Sequence, residues 1–383
     1  MGAKKSDFFD SRDKYLSFVN STNEKSRIAF QLAKYLKNSK ITKDAFRIFD
    51  AGTGDGSVIC TLLSAVHDKF PEDPIIVVGK EISIDDINSL LNYLGYRFFE
   101  HKNLVFCITN ASYREINDNR FTDCKLIKKE LVGNSSFSFN QQLMNMGEVI
   151  RKNWDIKEDT SSTILRPRQK TLMVIYRRDQ KIALKHLIPS KLESIPKFYD
   201  YIIASQAFRL RSPYDRTLKL VLIPLLKMLD VKGQLFFIYS SGNDFSKKLL
   251  KLFFPKINPY QFSDPKKFVE SLNKKIPHFR KKFKVSASSF LFSFINLSLS
   301  SKKKFSPMNS LGLWNAITYV GQISENEQKS IKISINFLDK ISNSAKKLKL
   351  QFSDYLLRFE KNNFKSHLDC LLYTSPSPRD TLL

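Results

Sequence analysis

Arg47-Ile48-Phe49-Asp50-Ala51-Gly52-Thr53-Gly54-Asp55-Gly56 is the stretch that decides the fold. An apolar run meets an acid, and glycine then recurs at every second position. A helical pattern starts at once, with Val58, Ile59, Leu62, Leu63 and Val66 on one face. Glycines at such a turn admit positive φ and let a ligand touch the backbone. The unpaired amides of the helix that follows then face a carboxylate or phosphate. The dinucleotide fingerprint G-x-G-x-x-G needs another register: Gly56 comes one place early, and Ser57 stands where the last glycine would be. The plain alternative is a tight strand-to-helix turn that binds nothing.

Working outward, Pro74-Ile75-Ile76-Val77-Val78-Gly79-Lys80-Glu81 reads as a second buried strand ending in an acid. A carboxylate there can accept hydrogen bonds from both ribose hydroxyls of a nucleoside. Ser83-Ile84-Asp85-Asp86 has the form of a helix N-cap. Ile87, Leu90, Leu91 and Leu94 supply the buried face, and Gly95 suits the end of that helix. Asn103-Leu104-Val105-Phe106-Cys107-Ile108-Thr109 makes a third strand, and Tyr199-Asp200-Tyr201-Ile202-Ile203-Ala204 a fourth. A helix over 214–229, a turn at Val231-Lys232-Gly233-Gln234 and a strand at Leu235-Phe236-Phe237-Ile238-Tyr239 follow. Strands separated by helical spacing argue for a parallel sheet with helices on both faces.

The acid-x-Gly-x-Gly-x-Gly run resembles the first motif of class I S-adenosylmethionine (SAM) methyltransferases. The strand order extends that resemblance over roughly residues 46–241, less an insertion. It implies an α/β, Rossmann-like doubly wound and mainly parallel sheet, with an α+β insertion between strands three and four and a helical C-terminal extension. SAM is the implied cofactor. Carried over onto this chain, Asp50, Ala51, Gly52, Thr53, Gly54 and Gly56 line it. Glu81 is the implied ribose ligand with Ile82 beside it, Asn110 and Ala111 face the adenine, and Ser205 and Gln206 lie beside the transferred methyl group. Two departures stand out. Asp50 and Glu81 are about thirty residues apart where about twenty is usual for such a unit. Asn110 replaces the acid that many relatives carry, although its amide oxygen can still accept a hydrogen bond.

The chain of 383 residues has room for one large domain with additions. Its apolar content of 42% is ample for a core. Cys60, Cys107, Cys124 and Cys370 show neither disulfide nor metal-ligand spacing, so reduced thiols and no metal are expected. No apolar run resembles a signal peptide or reaches the length of a membrane span. A cytoplasmic protein without membrane contact is the expectation. The net charge of +26 suits a polyanionic partner, yet lysine, isoleucine, asparagine and phenylalanine are abundant together, as AT-rich coding produces. The cations are scattered along the chain and no nucleic-acid module accompanies them.

Residues 1–45 form an N-terminal helical segment with a capping box at Ser21-Thr22-Asn23-Glu24; a helix that only packs is the first expectation for it, and the second, which the resemblance implies, is a helix folded over the cofactor with Tyr15, Phe18 and Lys25 reaching the site. Residues 46–111 and 198–254 form the core. The insertion, 112–197, is long enough to need structure of its own: a helix over 139–154, a strand over 170–176 and a hairpin partner over 181–187. A substrate lid is one expectation for it, a structural or dimerisation arm the other. Arg166, Arg168 and Lys170, with Arg177 and Arg178, give it the densest arginine cluster of the chain, suited to an anionic acceptor; a solvated hairpin with ordinary surface charge is the competing expectation. In the extension, 255–370, strand character over 284–296 precedes a helix over 330–360. Residues 371–383 have the form of a translated sequencing adapter and are set aside.

Methyl transfer from a sulfonium needs alignment and a dry site more than it needs a base. None of His67, His101, His186, His278 or His367 stands out as one. A small-molecule or protein acceptor is expected first and RNA second. Outside this class stand a non-catalytic nucleotide-binding protein and a nicotinamide oxidoreductase, the latter disfavoured by the glycine register.

Overall fold

Strand and helix alternate from Phe46 onward as the apolar pattern predicts. The computed structural model describes residues 12–41, 43–118, 124–154, 156–157, 166–295, 305–329, 331–345 and 348–363. Two helices, α1 (Arg12–Ser21) and α2 (Glu24–Leu36), precede β1 (Phe46–Asp50). There follow α3 (Ser57–Lys69), β2 (Ile75–Lys80), α4 (Ile84–Glu100) and β3 (Leu104–Thr109). Each strand is apolar along nearly its whole length because both faces are covered by helices. The side chain of Ser83 caps α4 by accepting from Asp86 N–H at 3.2 Å. The box expected at Ser21–Glu24 does not form. Ser21 and Thr22 instead donate to the Phe18 carbonyl, and Asn23 Oδ1 accepts from the backbone of Ser293.

The insertion contributes α5 (Tyr113–Asp118), β4 (Lys125–Leu131), α6 (Ser136–Met144), α7 (Gly147–Asn153), a short ribbon of β5 (Ile156–Lys157) with β6 (Arg166–Pro167), and β7 (Thr171–Arg177). The chain returns through β8 (Tyr199–Ser205). A helical run, α8 (Tyr214–Thr217), a wider turn at Leu218–Leu222 and α9 (Ile223–Lys227), leads to β9 (Leu229–Ser240). The turn expected at Val231–Gln234 is an irregularity inside β9, with Lys232 at φ 64°. The C-terminal part supplies α10 (Phe245–Phe253), α11 (Pro265–Lys275), α12 (Phe279–Lys282), β10 (Phe283–Ser293), α13 (Pro307–Val320), α14 (Glu325–Gln328), α15 (Ile335–Ala345) and β11 (Gln351–Lys361).

These strands form one nine-stranded sheet in the order β10-β11-β9-β8-β1-β2-β3-β7-β4. The five central strands are parallel, whereas β11 runs antiparallel to both β9 and β10. The fold is therefore the mixed α/β, doubly wound one that the sequence implied. Two local expectations differ. The C-terminal part holds helices, but 351–361 is strand where a helix over 330–360 was read. Lodged between β9 and β10, β11 is buried on both faces, which erases the period of two that marks a half-buried strand. The partner of β7 is also not 181–187. Its two edges are filled by β3 and β4, leaving no place for a hairpin.

Cores lie on both sides of the sheet. One is closed by α2, α3, α4, α6 and α7, the other by α1, α5, the α8–α9 run and the C-terminal helices. No helix among the described residues is long and apolar enough to cross a membrane. Residues 371–383 and Cys370 lie outside the described residues.

The insertion is built into this core. Trp154, fully buried, packs in the same cluster as Phe98, Phe139 and Leu143, and its Nε1–H donates to the Glu81 carbonyl at 3.0 Å. Trp154→Ala is expected to lower stability by about 3–5 kcal/mol, from lost contacts and the cavity left behind. Urea denaturation measures this, and an unchanged midpoint would show that the insertion folds apart from the sheet.

Candidate functional site

Strand order reverses between β1 and β8, and open α/β sheets bind ligands in the crevice outside their C-terminal strand ends at such a switch point. The glycine turn sits there, fastened on both sides. Ala51 N–H donates to the Ile203 carbonyl of β8, and Thr53 N–H to the Lys80 carbonyl of β2. Gly54 and Gly56 have φ of 55° and 82°, backbone that favours glycine. At Gly56 a Cβ would lie 2.4 Å from Leu90 Cδ1 and 3.0 Å from Leu90 Cα, so helix α4 itself demands the glycine. Asp55 Oδ1 accepts from the backbone and hydroxyl of Ser57 and so opens α3.

Asp50 ends β1 with a side chain only 2% exposed. Burial, reinforced by the Glu81 carboxylate, pushes its carboxyl up to about 7; an amide contact from Gly52 and the charge of Lys25 oppose this. Glu81 reaches back over the turn. Its Oε2 accepts from Gly54 N–H at 2.8 Å and its Oε1 from Ile82 and Ser83 N–H at 2.7 and 2.9 Å. Asp50, the glycine turn, Glu81 and Ile82 are thus brought together, as their positions in the sequence implied.

Ser205 and Gln206 end β8 beside this turn. Gln206 takes φ 51°, an uncommon conformation for a side-chain-bearing residue. Its Nε2 donates to Glu24 Oε1 at 3.2 Å. The Ser205 hydroxyl is buried and has no hydrogen-bond partner among the described residues. Above the turn, the Tyr15 hydroxyl stands 3.4 Å from where a Cβ on Gly54 would be, and Lys25 lies over the Tyr15 ring at 5.7 Å. Phe18 points elsewhere and packs against Tyr319, Phe292 and Phe352.

Asn110 and Ala111 follow β3, two strands from the turn. The Asn110 side chain is already engaged: Oδ1 accepts from Thr171 N–H at 2.8 Å and Nδ2 donates to the Gln169 carbonyl at 2.9 Å. It pins the start of β7 to β3. The cations of the insertion are divided by strand direction. Lys170 lies at the site edge, but its ammonium pairs with Glu115 at 2.7 Å. Arg168, exposed, is also engaged, and Arg166 sits in the β5–β6 ribbon, its backbone opposite Lys157. Arg177 and Arg178 end β7 at the opposite edge of the sheet, paired with Asp179 and Glu130. The cluster that is dense in sequence is not one cluster in space.

Two residues at this edge, Tyr113 and Asp354, are not singled out from the sequence as site residues. Tyr113 donates its hydroxyl to the Ala51 carbonyl and lies under Lys80, whose ammonium is 5.6 Å from the ring centroid. Asp354 of β11 is fully buried, with neither carboxylate oxygen hydrogen-bonded to a donor. It lies opposite Ser240 in the sheet and against Glu24, which is itself 2% exposed. Burial raises both carboxyls, the Glu24 charge raising Asp354 further and Lys25, 3.9 Å from Glu24, acting the other way.

No family model matches the chain, and no curated protein matches it in sequence. Solved structures do match, SAM-dependent methyltransferases among them. A putative class I SAM-dependent methyltransferase from Listeria monocytogenes is 11% identical, with 89% of this chain and 61% of that chain covered and a TM-score of 0.34. A SAM-dependent methyltransferase from Archaeoglobus fulgidus is 12% identical, with 88% and 94% covered and a TM-score of 0.32. Phosphoethanolamine N-methyltransferase 2 of Haemonchus contortus, solved in complex with SAM, is 11% identical, with 94% and 60% covered and a TM-score of 0.35. The chain therefore spans less than two thirds of the length of the first and third of these.

The Glu24–Asp354 pair sets a pH dependence. Carboxyls raised in the folded state hold protons that the unfolded chain has released, so stability falls as pH rises above about 4, by up to about 1.4 kcal/mol per pH unit for each retained proton. Lys25, Asp55 and Asp244 are the other charges that act on the pair. Asp354→Asn removes one such group. Its urea midpoint is expected to decline less steeply than that of the unaltered protein between pH 4 and 7, and to exceed it at pH 7. Parallel profiles would exclude a protonated pair.

Proposed function

We propose that the chain is a SAM-dependent methyltransferase. One observation carries this above the others: a glycine turn at the β1–β8 switch point whose Gly54 amide is held by the acid ending β2. SAM supplies an electrophilic methyl group on a sulfonium sulfur. The residues at the turn fit it. Asp50 is a buried acid on which the charge of Lys25 acts, the backbone at Gly52 and Gly54 carries no side chain, and the Ser205 hydroxyl has no hydrogen-bond partner among the described residues.

In this proposal Asp50 faces the cationic end of SAM and Glu81 exchanges part of its backbone bonding for the ribose hydroxyls. Tyr15 and Lys25, folded over Gly54, exclude water from above. Gln206, held by Glu24 and by the Ile238 carbonyl, lines the side from which the acceptor nucleophile approaches. That side is bounded by β8, β9 and β11, across β1 from the insertion. Asn110, committed to β7, is assigned a positioning role at the adenine end.

Calorimetric titration with SAM tests this. Affinity in the micromolar range, roughly −8 kcal/mol, is expected. Glu81→Ala is expected to weaken it by roughly 1.5–3 kcal/mol and Glu81→Gln by less, since an amide keeps one acceptor. A folded chain that binds NAD but not SAM would overturn the assignment.

The Asp50 carboxyl makes binding depend on pH. A cation favours the ionised acid, so below about pH 7 each molecule bound must displace a proton. SAM affinity is expected to be flat above that pH and to fall by up to tenfold per unit below it. Titrations in buffers of differing ionisation enthalpy read the proton release, which Asp50→Asn should abolish.

A further inference from the structure

Cations scattered along the sequence are gathered by the fold. Between Phe245 and Lys284 the chain has twelve Lys and Arg residues against only two acids, Asp264 and Glu270. The whole chain has 63 against 37. AT-rich coding adds lysine but does not remove aspartate or glutamate, so it does not produce this imbalance. Helices α10, α11 and α12 all cover the same face of the sheet. They bury Leu249, Leu250, Phe268, Leu272 and Phe279 and turn the cations outward, eleven of them exposed and Lys282 half-buried.

Placement within the helices is the second observation. Lys247 and Lys248 lie in the first turn of α10, and Lys266 and Lys267 in the first turn of α11, with no acid in either turn. A cation there opposes the helix dipole, which prefers anions at that end. Both starts stand at the site edge of the sheet. Helix α10 follows the end of β9, and the Ser263 hydroxyl, one residue before the cap of α11, donates to the Ser241 carbonyl at 3.3 Å. Asp244 and Asp264 cap the two helices, their carboxylates accepting from Ser246 and Lys266 N–H at 2.9 Å each, so the helix ends themselves are occupied, and the positive potential beside the switch-point crevice comes from the four lysines, which outnumber these caps.

We propose that this rim docks a nucleic-acid duplex by its phosphodiester backbone. A membrane fits less well, because Leu252 is the one large apolar side chain exposed among the described residues of these helices, and lipid surfaces are held by apolar insertion as well as charge. No aromatic side chain is exposed there to stack on bases, so binding follows the phosphates without regard to sequence. The inference stands apart from methyl transfer and does not depend on it.

The test uses the full chain and 24-base-pair duplexes of DNA and RNA, compared by fluorescence anisotropy over a salt series. Both duplexes are expected to bind, with log K falling against log salt at a slope of about −3 to −4 for the four first-turn lysines. Reversing Lys247, Lys248, Lys266 and Lys267 to Glu favours both helix starts, so folding is preserved. Affinity should then drop about thirtyfold or more and the slope should flatten. Reversing Lys37, Lys102, Lys128 and Lys185, exposed elsewhere, changes net charge equally and should cost less than about threefold. Equal losses in the two variants would overturn the proposal. So would an absence of duplex binding at low salt, or tighter binding to phosphatidylserine vesicles than to either duplex.

Discussion

The hydrogen bond from Gly54 N–H to the Glu81 carboxylate is the contact on which the site depends. It joins the ends of β1 and β2 across the turn that opens α3. Two further backbone donors, at Ile82 and Ser83, hold the same carboxylate, so the start of α4 is fixed by it as well. The Glu81 carbonyl anchors Trp154, which ties the insertion to the same point. One acid thus sets the relative positions of two strand ends, two helix starts and an indole. Because a bond to a charged group is worth more than a neutral one, the arrangement tolerates the cost of burying Glu81.

The same edge carries an unusual load of buried acid. Asp50, Glu24 and Asp354 are all raised by burial, and two of them touch. Groups arranged this way work against stability, since each loses its charge or keeps it at a desolvation cost. Strained backbone at Gln206 adds to that load. The neighbouring strands β1, β2 and β3 are by contrast apolar along nearly their whole length. Buried acids whose carboxyls are raised, set beside a strained residue, are a feature that functional sites share with structural ion networks.

Much of the core was legible. The first five strands of the core were read in place because each is a short apolar run bounded by turn residues, and the Ser83 cap followed from its spacing to Asp86. Asp50, Gly54, Glu81 and Gln206 converge because strand ends of a parallel sheet share an edge, a consequence of topology rather than of any one residue. What failed was non-local. β11 looked helical, since Leu348 and Phe352 fall four apart and burial on both faces hides strand alternation. Asp354 and Tyr113 were invisible because their partners, Glu24 and the Ala51 carbonyl, are remote in sequence. The arginines of the insertion were misleading for the same reason: proximity along an extended strand becomes separation in space, at about 3.3 Å per residue.

The insertion illustrates how a grafted segment is absorbed. An open sheet edge at β3 would expose unpaired N–H and C=O groups, and β7 with β4 covers them. Asn110 extends that pairing past the end of β3, its amide standing in for a strand partner to Thr171 and Gln169. A residue that a family pattern marks for a ligand is thereby spent on architecture, and Lys170 is spent on Glu115. Among the described residues, buried side-chain atoms without a hydrogen-bond partner occur in the turn itself, at Thr53 Oγ1, and on the other side of β1, at Ser205, Glu24 and Asp354. The β8–β11 end therefore holds buried polar groups still free to change partners, whereas Asn110 and Lys170, where the added strands meet the core, are engaged.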